Sequence, residues 1–250
     1  VFREQIVLPQ IAGLVVWRQG QDAVRVVSDD LVLATPDGST RSNLELTLPL
    51  DGSSPRLDLT TGFSVFAVPA VKRYLPAHKM PPVVVSWLDQ ALQGGRVHDG
   101  QLTFVGPVQA FPFDGGEGEL KASANVEAGV LRYMRDWPVA EELNGRVEFV
   151  NASFTARGSG RALGNRAADV STGIADMRNP VFTLQTQTIG PVEEVLEYVN
   201  SAPLIAPHLG PQFAELSAPF GTGELSVDLA LPLKNLPAYE LSASLNIIDG

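Results

Sequence analysis

Apolar and polar residues alternate strictly in two well-separated stretches of this chain. Leu44-Glu45-Leu46-Thr47-Leu48-Pro49-Leu50 is answered by Val227-Asp228-Leu229-Ala230-Leu231-Pro232-Leu233. Each copy runs through a loop containing a proline and re-enters an alternating segment. The first re-entry is Leu57-Asp58-Leu59-Thr60 and the second is Tyr239-Glu240-Leu241-Ser242. A period of two describes an extended strand with one dry face and one wet face. Its recurrence predicts a repeated β-hairpin unit in an elongated sheet.

Turn signals are dense. Asp-Gly occurs at Asp37-Gly38, Asp51-Gly52, Asp99-Gly100, Asp114-Gly115 and Asp249-Gly250, and Asn-Gly at Asn144-Gly145. Such pairs tolerate the positive φ of tight hairpin turns. Strands are predicted over 23–33, 43–50, 56–66, 101–105, 119–127, 145–150, 181–189, 223–231 and 239–248.

Two segments change period. Val84, Trp87, Leu88, Ala91 and Leu92 have helical spacing, with Pro81-Pro82 leading in and Gly94-Gly95 as the stop, so 83–93 is predicted as an amphipathic helix. A second helix is predicted from Pro191 to about Asn200. Proline suits its first position, Glu193 and Glu194 suit its first turn, and Val192, Val195, Leu196 and Val199 form its apolar stripe. A short helix at 69–75 and one helical turn at 138–143 complete the expectation. No shift in composition divides the chain, so residues 1–250 read as one continuous unit.

Composition narrows the function. The 250 residues are 44% hydrophobic and only 18% charged, with 23 Gly and 19 Pro, which favours many short connections over long helices. A net charge of −10 repels phosphate backbones and disfavours nucleic acid. It disfavours attachment to anionic headgroups through a basic patch as well, but acyl chains are untouched by that argument. There is no cysteine, hence no disulfide and no thiolate metal site. No stretch reaches the roughly 18 apolar residues of a membrane span. The chain starts at Val1 without a signal peptide and stops on a turn signal, and reads as an excised fragment.

Candidate chemistry is thin. His78, His98 and His208 lie far apart without ligand-spaced carboxylates, which argues against a metal. Arg157-Gly158-Ser159-Gly160-Arg161-Ala162-Leu163-Gly164 places Leu163 where a dinucleotide fingerprint needs glycine, and no Gly-Lys-Ser/Thr follows, so it reads as a glycine-rich hairpin loop. The adjacent acids Asp29-Asp30 and Glu141-Glu142 suit solvated positions better than acid/base work. No enzyme activity and no cofactor are expected.

The middle of the chain carries an ordered set of features. These are Tyr74-Leu75-Pro76; Trp87-Leu88 with Ala91-Leu92 and Gly95; and Gly100, Leu102, Phe104 and Gly106-Pro107. Phe111-Pro112-Phe113 follows, then Gly129, Leu131 and Tyr133, then Trp137-Pro138, and then Leu143, Gly145, Val147, Phe149 and Asn151, with Ala202-Pro203-Leu204 after the second helix. This set, densest over roughly 70–155, resembles the YhdP-type AsmA-like proteins of Gram-negative envelopes. Each motif also has a plain structural reading: Phe111-Pro112-Phe113 and Trp137-Pro138 are proline-fixed corners with aromatic anchors.

The resemblance implies a mainly β fold: an elongated, strongly curved antiparallel sheet forming a taco-like groove, with two or three short amphipathic helices packed on it. It implies a periplasmic location in a protein anchored in the inner membrane, with the missing terminal regions meeting the inner and outer membranes. It implies phospholipid as the partner. On that reading the groove is lined by Leu44, Leu46, Leu48, Leu50, Leu57, Leu59, Leu120, Ala122, Val126, Val147, Phe149, Leu225, Val227, Leu229, Leu231, Leu241 and Leu245. The pattern of residues leaves a closed sandwich core open as an alternative for the same positions, and a carbohydrate module as a third. The third fits poorly, because aromatics are only 7% and lie mainly at turns.

Overall fold

The computed structural model describes residues 5–203, 206–207 and 221–248. The strands are β1 Gln10–Gln19, β2 Ala23–Ala34, β3 Ser39–Pro49, β4 Arg56–Phe63, β5 Phe66–Ala67, β6 Leu92–Pro107, β7 Glu119–Leu131, β8 Ala140–Val150, β9 Ser153–Ala162, β10 Asn165–Ile174, β11 Val181–Pro191, β12 Thr222–Pro232 and β13 Glu240–Ile248. Apart from short β5, which pairs β6, each strand hydrogen-bonds the next antiparallel, giving one 13-stranded meander with β1 and β13 at opposite ends. The sheet is an open antiparallel surface, mainly β, as expected. Helices α1 Val68–Val71, α2 Pro82–Ala91 and α3 Val192–Ser201 sit in connections at the same ends of their strands. They pack on β5, β6, β11 and β12.

Alternation sorts the residues as predicted. The wet face carries the ion pairs Arg25–Glu45, Arg56–Asp58, Arg96–Glu127 and Lys121–Glu148. In each the basic partner is more than half exposed, so each contributes little. Their effect is to keep one face solvated while the other is apolar.

The predicted strands are present, and several boundaries differ. β6 is far longer than 101–105: Gly94-Gly95 does not follow a helix C-cap but lies within the strand, because Leu92 is already extended and α2 ends at Ala91. The segment 138–143 is not a helical turn; β8 starts at Ala140. Residues 157–162 are not a loop but the end of β9, and the turn to β10 is only Leu163-Gly164, both at positive φ. Asp99-Gly100 and Asn144-Gly145 lie inside strands rather than at hairpins. Asp99 uses its positive φ of 51° for a bulge. The call at Asp249-Gly250 lies outside the described residues.

Bulges and small residues curve the sheet. Asp30, Asp99, Ala128 and Glu142 all have positive φ, and each falls at a register shift. Such bulges bend a strand and raise its twist. Two of them are held alike: the N–H of Asp30 donates to Asn43 Oδ1 and that of Ala128 to Asn144 Oδ1, each 3.0 Å. Between β8 and β9, Gly145 faces Gly158 so closely that a Cβ on either would meet a carbonyl oxygen of the other strand at 2.2 and 2.1 Å. Here glycine is required by the approach of two backbones.

At Gly100 the space above the glycine is filled instead. The ring of Phe63, directly opposite, stands 1.8 Å from where a Cβ would be. Gly100→Ala is expected to displace that ring and cost about 1–3 kcal/mol. A thermal midpoint equal to that of the parent protein would contradict this packing.

Candidate functional site

Strand register assembles the dry face row by row. Trp17, Val26, Leu46 and Leu57 are cross-strand neighbours on β1–β4. Leu44, Leu59, Phe104 and Leu120 form the next row. Leu102, Ala122, Phe149, Phe154, Ile174, Phe182 and Leu231 extend the apolar face from β6 to β12. Val126 and Val147 lie along the same face of β7 and β8. Leu225, Val227 and Leu229 on β12 oppose Leu245, Ala243 and Leu241 on β13. Every residue predicted for the face is therefore on it except Leu50, which lies in the turn after β3 and is 53% exposed. Trp17, Phe104, Phe154, Ile174 and Phe182 belong to the face as well. The sequence signal for Phe104 was its place in Leu102-Thr103-Phe104; Phe154 and Ile174 had none, because small residues break the alternation around them.

The two copies of the repeat have different fates. Leu44, Leu46, Leu57 and Leu59 are half-buried, Leu48 is 36% exposed, and Trp17 at the sheet edge is 72% exposed. Leu225 and Leu229 are 1% and 6% exposed. The cause is α3. Its predicted stripe lands on β12, so Val195, Val199 and Ala202 form one cluster with Leu225, Val227, Leu229 and Leu231. A second, smaller filling lies beside α1, where Phe66 and Val68 pack with Val97 and Ala124. The face is thus filled at β11–β13 and near α1, and unfilled along β1–β4.

The connection from β7 to β8 reaches the filled part. Trp137 packs on the α3 cluster, and its ring meets that of Tyr133 edge-on at 5.6 Å. Tyr133 and Tyr198 bring their hydroxyls to 3.4 Å, and Trp87 Nε1 of α2 donates to the Tyr133 carbonyl at 2.9 Å. β8, β9 and β10 intervene between β7 and β11, a distance of about 19 Å across a flat sheet. The contact therefore requires the sheet to curl. At the opposite strand ends Arg178, between β10 and β11, pairs with Asp114, between β6 and β7, across the same interval. Trp137-Pro138 is thus a strap over the dry face and not simply a corner. Phe113 does act as a corner anchor: it is buried and stacks edge-on against Phe104 at 5.3 Å.

Burial pushes the ionisation of both tyrosines upward, and for Tyr133 the neighbouring Tyr198 adds to it. A folded-state value above the ordinary 10.0 means that their contribution to stability is full below that pH and is lost above it. The melting temperature is expected to fall as the pH rises above about 10, and less steeply once both positions are Phe. Equal slopes in the two proteins would contradict the buried pair.

The lining is not uniformly apolar. Ser28 donates to the Leu14 carbonyl and Ser42 to Thr61 Oγ1, both at 2.7 Å, so these hydroxyls are consumed within the sheet. Both main helices are packing elements, as expected, but to different depths: α3 is buried on β12, while α2 rests on β6 with most of its surface open. Val84 and Trp87, predicted on its packed stripe, are 38% and 44% exposed, and only Ala91 is buried. The residues read as non-catalytic are dispersed: Asp30 pairs with Arg41, Glu142 with Arg161, and His98 with Asp99. His208 lies outside the described residues. Among the described residues no group of His, Asp or Glu is close enough to hold a metal ion, and no helix is long and apolar enough to cross a membrane.

The profile of the family described as YhdP protein matches residues 1–247. The chain belongs to the YhdP family. A curated relative is the Escherichia coli (strain K12) protein named intermembrane phospholipid transporter YhdP, 26% identical over 151 residues. That alignment takes in 60% of this chain and 12% of the relative. No solved structure matches.

Proposed function

We propose that this chain is a segment of an intermembrane lipid-transfer path, in which the dry face shields phospholipid acyl chains as they cross the periplasm. The observation that carries the reading is the unfilled apolar face of β1–β4, continuous through Phe104, Leu120 and Phe149 with the rest of the sheet. Twelve strands side by side, with β5 off their path, make a surface about 53 Å long at ~4.8 Å per strand spacing, against about 15 Å for the acyl chains of one leaflet. Each shielded CH₂ is worth about 0.8 kcal/mol. Chains resting on such a face are held out of water, and with the serine hydroxyls already bonded no fixed polar anchor prevents sliding.

In this reading the described sheet is one unit of a longer groove, and residues outside it meet the inner and outer membranes. The curated relative's name supports phospholipid as the cargo. A closed structural core is favoured by the α3 cluster and the smaller cluster beside α1, and neither includes a residue of β1–β3. The test is loading of the purified protein with a fluorescent phospholipid. Saturable uptake that disappears when Leu46 and Leu59 become Asp is expected. Uptake unchanged by those substitutions would overturn the reading.

A further inference from the structure

The chain carries the same strand twice, once with its apolar side open and once with it covered. What covers the second copy is a two-and-a-half-turn helix whose contribution is almost purely aliphatic: Val195 and Val199 lie on Leu225, Val227 and Leu229. Among the described residues its polar fastening is slight: the tyrosine pair at 3.4 Å and, at its first residue, the Val192 N–H donating to the Gly221 carbonyl at 3.1 Å. Beneath Trp137 and Tyr198 a void of about 30 Å³ remains, lined by Leu184, Leu225, Leu229 and Leu241. It is apolar and the size of one water, which a dry wall does not attract. Phe182 and Leu231 join this void to the open rows through Ile174, Phe154 and Phe149.

We propose that the β11–β13 face is a second acyl-chain site, occupied in this structure by α3 in place of lipid. The proposal rests on the groove reading above. An acyl chain advancing along the Phe149–Phe182 row meets the void under Trp137 first. It then takes the place of Val195 and Val199 as α3 lifts with the Tyr133–Trp137 strap. Aliphatic contacts are exchanged for aliphatic contacts, and the two tyrosine hydroxyls reach water when the strap moves.

The chain has no cysteine, so a pinned form is straightforward to make. A Cβ on Gly223 would lie 3.1 Å from Val195 Cγ2, within reach of disulfide geometry. The double variant V195C/G223C is loaded with a phospholipid bearing a diazirine at the acyl terminus, irradiated, and mapped by peptide mass spectrometry. Reduced protein is expected to be labelled on both residues 39–63 and residues 222–232. Oxidised protein should lose at least fivefold of the label on 222–232 and keep that on 39–63. In the otherwise native chain, Tyr198→Phe keeps the ring and removes the fastening, and should raise labelling of 222–232 about fivefold. Label confined to 39–63 in the reduced protein and in Tyr198→Phe would show that α3 is permanent core and overturn the second site alone. Equal label on 222–232 with and without the disulfide would overturn displacement. No label on either segment would overturn the groove reading itself.

Discussion

Leu46→Asp is expected to abolish phospholipid retention while leaving the protein folded. Leu46 is half-buried between Val26 and Leu57, on the part of the face that no described core cluster includes. A carboxylate there can hydrate, so the cost to stability is that of lost apolar contact, about 1–2 kcal/mol. For an acyl chain the same carboxylate is a barrier, because sliding past it forces either the charge or the chain into an unfavourable environment. Bound lipid should fall at least tenfold, with circular dichroism unchanged. Retention at the parental level would show that the row Trp17–Val26–Leu46–Leu57 is not a lipid path.

Leu229→Asp, the matching position in the second copy, should do the reverse. Leu229 is covered by α3 and flanked by Leu184 and Leu241, and the described residues of that cluster include no Lys or Arg to compensate a charge. An uncompensated buried carboxylate costs about 3–5 kcal/mol, a large share of the stability of an ordinary domain. Loss of the cooperative melt, or a drop in midpoint of about 10 °C or more, is the expected result. A midpoint within about 2 °C of the parent would mean that α3 does not sit on β12 in solution. One pattern, read twice, thus yields one open apolar face and one core.

That difference was not legible in the sequence. Alternation places Leu44 and Leu229 correctly on a dry face, because a period of two is enough to sort sides. It also gives the helices, since a proline at the start and an aliphatic stripe mark α3 unambiguously. What alternation lacks is any term for what lies above a face. Whether Val195 lands on Leu225 depends on the path of the chain after Pro191, and whether Trp137 reaches Leu229 depends on curl accumulated over several strands. β9 and β10 escaped notice for a related reason: Gly158, Ser159 and Gly160 read as a loop, yet the close approach of Gly145 and Gly158 is what lets the sheet bend there. The YhdP resemblance rested on motifs densest over 70–155, and those residues hold the strap, part of the α1 filling, and Leu102, Phe104 and Phe149 of the dry face.

The most direct test of the whole account is native mass spectrometry of the protein purified from a Gram-negative envelope without delipidation. The account predicts a population heavier by one or more phospholipids, released on collisional activation and absent from Leu46→Asp. A single lipid-free mass, together with no uptake of fluorescent phospholipid by the folded protein, would contradict it.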